Sequence, residues 1–397
     1  MSSYKSADIR NIALVGHSGA GKTMLAEVLL EQSGAIHSRG SIARGTTVCD
    51  FDSQEKALGH SLETSLCSLE HAGAHINIID TPGYPDFSGR AIAVLPAVET
   101  AALVINATNG VELQTQRMME AATHDRLCRM IIVNRIDEPG LDLAGLMRKI
   151  REVFGSECLP INLPADGGKR VVDCYFKPET GETVDFSSVQ EAHTEIVDQV
   201  VELDEALMES YLEQGEELES SQLHDVFEKA MRRGHLIPVC FTSAETGSGI
   251  NQLLNILVKL MPNPMEGNPP PFMKGQGKNA VPVKVVPDRH EHAVAHVFKV
   301  MVDPFIGRMG VFRIHQGTIK TNSSLFIGDA RKPFKVAHLY TLQGKDHSET
   351  ARGVPGDICA VAKIDEIEFD AVLHDSHDED NFHLEAASSP PPMHGVA

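Results

Sequence analysis

Short runs of branched apolar residues open the chain, alternating with longer stretches in which apolar positions recur at helical spacing. NIALVG is followed by TMLAEVLLEQS, and then come HINIID, AALVINA and RMIIVN. Apolar runs of this length, bounded by turn residues, suit strands covered on both faces, and the amphipathic stretches supply the crossovers. The pattern predicts a parallel, doubly wound α/β sheet. From about residue 158 to 234 the rhythm changes to a hairpin over VVDCYFKPETGETVDF and two acidic helices, HTEIVDQVVELDEALMESYLEQ and SSQLHDVFEKAMRR. This segment reads as an inserted α+β subdomain. HLIPVCFTSA and INQLLNILVKLM then resume the α/β pattern, so that the first domain spans residues 1–265. The proline-rich PNPMEGNPPPF marks a linker over 266–280. Beyond it AHVFKVMVD, GRMGVFRIHQGTIK, SSLFIG, FKVAHLYTLQ and DICAVAKI are short strands separated by turn signals, the pattern of a small antiparallel β-barrel over 281–372. Residues 373–397, acidic and proline-rich, read as a linker or tail. No internal repeat interrupts this order.

Composition narrows the class. A chain of 397 residues with 42% apolar content can bury more than one core. No run approaches the eighteen or so apolar residues of a membrane span, and MSSYKSADIR has no apolar signal core, so a cytoplasmic protein with no membrane partner is expected. The seven cysteines form no CxxC pair and read as packing thiols. A net charge of −20 argues against broad coating of nucleic acid, and so against a DNA partner, while leaving local docking on RNA open.

Three strand ends carry chemistry. Gly16-His17-Ser18-Gly19-Ala20-Gly21-Lys22-Thr23 lies between the strand NIALV and a helix, the context a phosphate-binding loop requires. Its glycines let backbone amides close around phosphate oxygens, Lys22 reaches the β and γ phosphates, and Thr23 can ligate Mg²⁺. Asp80-Thr81-Pro82-Gly83 ends HINIID. Asp80 is expected to hold Mg²⁺ through water, and the Gly83 amide to sense a γ-phosphate. Asn134-Arg135-Ile136-Asp137 ends RMIIVN and has the form of a guanine reader. The Asp137 carboxylate can accept from N1–H and the 2-amino group of guanine, neither of which adenine offers. Ser243-Ala244 supplies the loop whose amide is expected to meet the guanine O6. The implied ligands are GTP, GDP and Mg²⁺.

In that order GHSGAGKT, DTPGYPDF, NRID and TSA resemble the GTPase domain of elongation factor G and its elongation-factor-G-like relatives. The insertion between NRID and TSA resembles the extra subdomain of elongation factor G, absent from elongation factor Tu. FKVMVDPFIGRMGVFRIHQGTI and ARGVPGDICAVAKI resemble its second domain. The resemblance implies a monomeric GTPase acting on the ribosome, in translocation or ribosome disassembly. Lys22, Gly83 and Tyr84 then stand at the catalytic positions.

Departures from the family pattern are equally specific. An RGIT-type segment, whose threonine completes the Mg²⁺ shell, corresponds here to Leu58-Gly59-His60-Ser61, which makes Ser61 the candidate ligand. Arg135 stands where lysine is usual. Tyr84 replaces the histidine that orients water, and hydrolysis is therefore expected to be slow. The chain ends where a third domain of elongation factor G would begin, and reads as a fragment or truncated product. Competing readings are a GTP switch or decoy without useful turnover, and a release or ribosome-protection GTPase. His290, His292 and His296 read as a solvated strand edge rather than a metal site, His374, His377 and His383 as part of a flexible linker, and the acidic helices of 191–233 as the exterior of the insertion.

Overall fold

The computed structural model describes residues 4–214, 220–303 and 306–385. The first domain is laid out as β1 (Ile9–Val15), α1 (Lys22–Ser33), α2 (Ser53–Leu58), β2 (Ser65–His71), β3 (Ala74–Asp80), α3 (Ser88–Ala93), β4 (Thr100–Asn106), α4 (Leu113–His124), β5 (Cys128–Asn134) and α5 (Leu143–Phe154). It continues with β6 (Cys158–Pro160), β7 (Asn162–Ala165), β8 (Arg170–Asp173), α6 (Val189–Val201), α7 (Glu205–Gln214), α8 (Ser220–Arg232), β9 (Ile237–Phe241) and α9 (Ile250–Lys259). Its central sheet has the order β2-β3-β1-β4-β5-β9-β6, parallel except for β2, which runs antiparallel to β3. Alternation along each strand divides the core. Ile12 and Leu14 join α1, α6, α8 and α9 on one face, while Ala13 and Val15 face α4 and α5 on the other.

The second domain comprises β10 (Phe272–Lys274), β11 (Val281–Val283), β12 (Val294–Asp303), β13 (Gly307–Gln316), β14 (Ile319–Lys320), β15 (Ser324–Ile327), β16 (Phe334–Lys335), β17 (Leu339–Gln343), β18 (Asp346–Thr350), β19 (Arg352–Gly353), β20 (Ile358–Ala362), β21 (Val372–His374) and β22 (Phe382–Leu384). Its main sheet, ordered β16-β15-β21-β12-β13-β20-β17-β18, is antiparallel and curls around the buried Val297, Phe312, Ile314 and Leu373. Among the described residues no helix is long and apolar enough to cross a membrane.

Several expectations are corrected. The insertion's hairpin forms one step earlier than the sequence pattern implies: β8 pairs with β7, not with the ETVDF segment. The turn between them, Asp166-Gly167-Gly168, has positive φ throughout, and Asp185 from the later segment caps it by accepting from the Gly167 and Gly168 amides at 3.0 and 2.9 Å. Residues 158–160, assigned to the insertion, form the last strand of the central sheet. The first acidic helix is two helices, because Asp204 accepts from the Leu207 amide at 3.1 Å and caps α7.

The expected linker and tail also hold strands. Phe272 and Leu384 are buried where β10 pairs with β22, and β21 lies between β12 and β15. Residues 386–397 of the tail lie outside the described residues. His374 is fully buried, its ring bridging the carbonyls of Gly328 and Ser376 at 2.6 and 2.7 Å. His296 is buried too and contacts Asp370 at 2.7 Å, whereas His292 turns to Glu379 and His290 to Arg289. His290 and His292 precede β12, so strand alternation does not bring the three rings to one side.

The two domains share one apolar core. Phe298, Met309, Val311 and Ile358 pack into the cluster containing Ala97, Ala101 and Leu103; burial of such side chains stabilises by about 1.5–3 kcal/mol each. A polar network crosses the same seam. Arg313 of β13 donates to Glu99 at 2.6 Å and to the Ala97 carbonyl at 2.7 Å, both side chains being buried. Asn11 of β1 donates to Glu99 at 2.9 Å and to the Gly356 carbonyl at 3.1 Å. Leaving one of these groups uncompensated costs more than replacing the pair by apolar residues. Glu99→Ala should therefore lower stability by about 3–5 kcal/mol, and Glu99→Leu combined with Arg313→Met by clearly less than the sum of the singles. Denaturant titration measures this, and additive losses would show that the pair is not coupled.

Lys299 of β12 reaches across the seam to donate to the carbonyl of Thr64, just before β2. Burial pushes its ammonium down to about 8, against the pull of Glu55. Between that value and the ordinary 10.5 the unfolded chain binds the proton that the folded chain has released, so this residue's contribution to stability rises with pH across the window. The melting-temperature difference between the native chain and Lys299→Met should move in favour of the native chain between about pH 8 and pH 10. A pH-independent difference would refute the assignment.

Candidate functional site

Strands β1, β3, β5 and β9 deliver the predicted loops to the same edge of the sheet. After β1 the chain closes into the loop 16–21, and Gly21, at φ 90°, caps α1 in a left-handed conformation open to glycine at little cost. Lys22 begins the helix and folds back, its amine donating to the carbonyls of Gly16 at 3.0 Å and His17 at 2.8 Å. Burial pushes this amine down to about 8, while Asp80 and Asp50 act in the opposite sense. Gly19 and Ser18 remain open to solvent at the top of the loop, and Ala20 is buried beneath it.

At the end of β3, Asp80 accepts from the Thr23 hydroxyl at 2.7 Å, and its second carboxylate oxygen is buried with no hydrogen-bond partner. Its carboxyl is pushed up to about 7, first by burial and then by Asp50. Asp50 is itself raised by burial, carries a buried oxygen without a partner, and is drawn back down by a hydrogen bond from Ser61. The Ser61 hydroxyl lies 3.3 Å from that of Thr23. Two buried carboxylates facing two hydroxyls, with oxygens left over, form a hard-oxygen environment that a divalent cation fits. Sequence reasoning points to Thr23, Asp80 and Ser61 but not to Asp50.

Gly83 rests directly on the phosphate-loop segment. A Cβ there would lie 2.5 Å from the Lys22 amine and 2.6 Å from the Ser18 amide nitrogen, so no other residue fits without a shift. Thr81 anchors the turn by donating to the Leu14 carbonyl at 2.7 Å, and Pro82 is buried beside it. Tyr84 follows, 40% exposed, its ring 4.4 Å from that of His60.

At the far end Asn134 links three motifs. Its amide donates to the Ala20 carbonyl at 3.1 Å, and its carbonyl oxygen accepts from the Ala244 amide at 2.9 Å. The amide expected to face a base is thus engaged by Asn134 here. Ser243, fully buried, closes its turn by accepting from the Thr246 amide at 3.1 Å. Arg135 is exposed at φ 64°, Ile136 is buried, and one Asp137 carboxylate oxygen is buried with no hydrogen-bond partner. An acceptor left unpaired in this way is poised for a donor from outside the chain.

Supporting residues come from outside the motifs. Asn106, ending β4, donates to the Gly19 carbonyl at 3.2 Å. Glu27 of α1 accepts from the amides of Gly40 and Val48 at 2.6 and 2.5 Å, and Arg39 donates to the carbonyls of Ala244 and Glu245 at 2.6 and 3.0 Å. Gly168, in the insertion's hairpin turn, packs on the Ile136 carbonyl so closely that a Cβ would lie 1.9 Å from it. The signal for this buttress is the Asp-Gly-Gly turn. Its contact with the base loop is tertiary and leaves no local trace.

Two family models and several known proteins match most of the chain. The family model for the elongation factor Tu GTP binding domain matches residues 7–263, and that for elongation factor G domain 2 matches residues 292–374. An elongation factor G-like protein of Mycobacterium tuberculosis (strain ATCC 25618 / H37Rv) is 31% identical over 395 residues, covering 92% of this chain and 55% of the relative. Elongation factor G of Thermotoga neapolitana is 30% identical over 369 residues, covering 89% and 53%. A crystal structure of a protein from Thermus thermophilus superposes with a TM-score of 0.80 at 33% identity, covering 94% of this chain and 55% of that one. The chain thus spans about half the length of the curated relatives it matches. With the first model covering most of the chain and the second following in the order the fold requires, this protein belongs to the elongation factor G family of translational GTPases.

Proposed function

We propose that this chain binds GTP and GDP with Mg²⁺, selects guanine through Asp137, hydrolyses GTP slowly, and acts as a cytoplasmic, monomeric translation factor on the ribosome rather than on DNA or a membrane. The observation that carries the reading is the pairing of two unsatisfied ends on one rigid edge. Lys22, Thr23, Asp80 and Gly83 converge at one end, and the buried, unpaired Asp137 oxygen stands at the other, with Asn134 between them. That arrangement suits a nucleotide whose phosphates and base are held at once.

Each residue has a part in this reading. The loop amides and Lys22 neutralise charge on the phosphates, and Thr23, Ser61 and Asp80 hold the cation, with Asp50 behind them. Bound Mg²⁺ would supply charge neutralisation across the β and γ phosphates. Gly83 has the place to register a γ-phosphate, since it already lies over Lys22 and the Ser18 amide. Family membership supports ribosome action, and translocation or ribosome disassembly is the finer proposal within it. A second reading, nucleotide binding without useful turnover, draws on Tyr84, whose phenol stands where the family pattern has an imidazole and has no cationic form to set beside the phosphates.

Isothermal titration of the chain with GTP, GDP and ATP tests the core of the proposal. GTP and GDP should bind in the presence of Mg²⁺ and ATP about 10⁴-fold more weakly, because adenine leaves the Asp137 carboxylate unpaired. Asp137→Asn should weaken GTP by about a hundredfold and gain xanthosine triphosphate, whose 2-oxo group suits an amide donor. Unchanged GTP affinity with no xanthosine triphosphate binding would refute Asp137 as the base reader.

Asn134→Ala should cost at least about tenfold in affinity for GTP and GDP alike, since it unties the phosphate loop from the loop of Ala244. A loss confined to GTP would contradict a role shared by both nucleotides.

A further inference from the structure

Two positions of this chain depart from the family pattern together. The pattern has a histidine after the DTPG turn and an isoleucine third in the RGIT-type segment, where this chain has Tyr84 and His60. The structure brings these two together. Their rings lie 4.4 Å apart between centroids, with planes inclined by 49°. Tyr84 follows Gly83, which sits over the Lys22 amine and the Ser18 amide. His60 precedes Ser61, whose hydroxyl is 3.3 Å from that of Thr23. The ring pair therefore spans the two segments that flank the γ-phosphate end of the proposed site. Solvent reaches it, because Tyr84 is 40% exposed and His60 is half-buried.

Other groups near this point are committed elsewhere. The Lys22 amine is held by the carbonyls of Gly16 and His17. The His17 ring turns into the interior, 3.0 Å from the Thr115 hydroxyl, and is buried behind the loop. His60 contacts the Ser61 carbonyl through Nδ1 at 3.4 Å. That contact orients the ring along the segment which carries the proposed cation ligand Ser61.

We propose that His60 is the water-orienting imidazole of GTP hydrolysis in this chain, with the Tyr84 ring as the surface that holds it in place. The proposal rests on the GTPase reading above. In the reaction, water oxygen bonds to the γ phosphorus while the bond from that phosphorus to the β–γ bridging oxygen breaks. The bonding pair leaves on GDP, and the water's proton passes to the released phosphate or to solvent. An imidazole nitrogen that accepts a hydrogen bond from the water turns the water oxygen's lone pair toward phosphorus. The function assigned by the family pattern to one switch segment is thereby supplied from the other.

Single-turnover phosphate release with saturating Mg²⁺-GTP tests this, with and without 70S ribosomes, in the native chain, His60→Ala, His60→Ile, His60→Gln and the double variant His60→Ala/Tyr84→His. Affinity for a non-hydrolysable GTP analogue and circular dichroism are measured on the same samples. His60→Ala and His60→Ile should release phosphate about a hundredfold more slowly, with analogue affinity within about twofold of native. His60→Gln should keep part of the rate through its amide, and the double variant should recover rate by returning the imidazole to position 84. A native rate in His60→Ala, or slowed release that only tracks lost analogue affinity, would overturn the role of His60. So would a native chain that binds the analogue but releases no phosphate in either condition. Failure of the native chain to bind the analogue at all would sink the GTPase reading itself and this inference with it.

Discussion

Parallel strand register is the constraint on which the rest of the site depends. Leu14 stands opposite Asp80, Val15 opposite Leu103, Asn106 opposite Asn134, and Val133 opposite Phe241. Evenly spaced ladder hydrogen bonds fix these pairings. The loops that follow the strands therefore leave the sheet within a residue or two of one another. Asn134 can then reach both Ala20 and Ala244 with one short side chain, and Asp80 can meet Thr23 without a long or flexible arm. A slip of one residue in β5 would turn Asn134 to the opposite face and undo both bridges.

What can be read from the chain follows the same division between local and tertiary determinants. Strands β1, β3, β4, β5 and β9 are legible because they are continuous apolar runs, and the loops after them carry residues whose spacing has a chemical reason. The edge strand β2 is not legible: SLCSLEH has neither a continuous apolar run nor a regular alternation, and becomes a strand by pairing with β3. The pairing of β7 with β8 escapes a sequence reading because the valine run of β8 can extend toward either neighbour, and the choice is made by Asp185 capping the glycine turn from a distance. Strands β10 and β22 are hidden in the linker and the tail, since three residues give no period to count. Within the site, Asp50 and Glu27 stand outside any motif. Their roles appear only when the segment between α1 and β2 folds back over the helix.

That segment is held from three sides. Glu27 anchors its beginning to α1. Glu55 gathers the amides of Leu62 and Glu63 at 3.0 Å each near its end. Lys299 then secures the Thr64 carbonyl from the second domain. The ring of His60 and the hydroxyl of Ser61 thus project from a stretch whose backbone is fixed on both sides of them, one anchor belonging to the other domain. A rearrangement that moved the Thr64 end of this segment would break contacts in both domains, which ties the second domain to the segment that carries Ser61.

The seam between the domains also bears on how the chain acquires its structure. Its polar contacts join residues far apart in sequence, Glu99 to Arg313, Asn11 to Gly356, Ser68 to Gln343. Pairings of such long range form late, after large loops have closed. During synthesis the face of the first sheet that receives Phe298, Met309 and Val311 emerges long before those residues do. It must remain uncovered for the interval, with Glu99 and Asn11 hydrated within an otherwise apolar surface. The seam that makes the finished pair of domains rigid is therefore also the surface at which the nascent chain is most open to premature association, and the polar groups set into it keep that surface wet until its partner arrives.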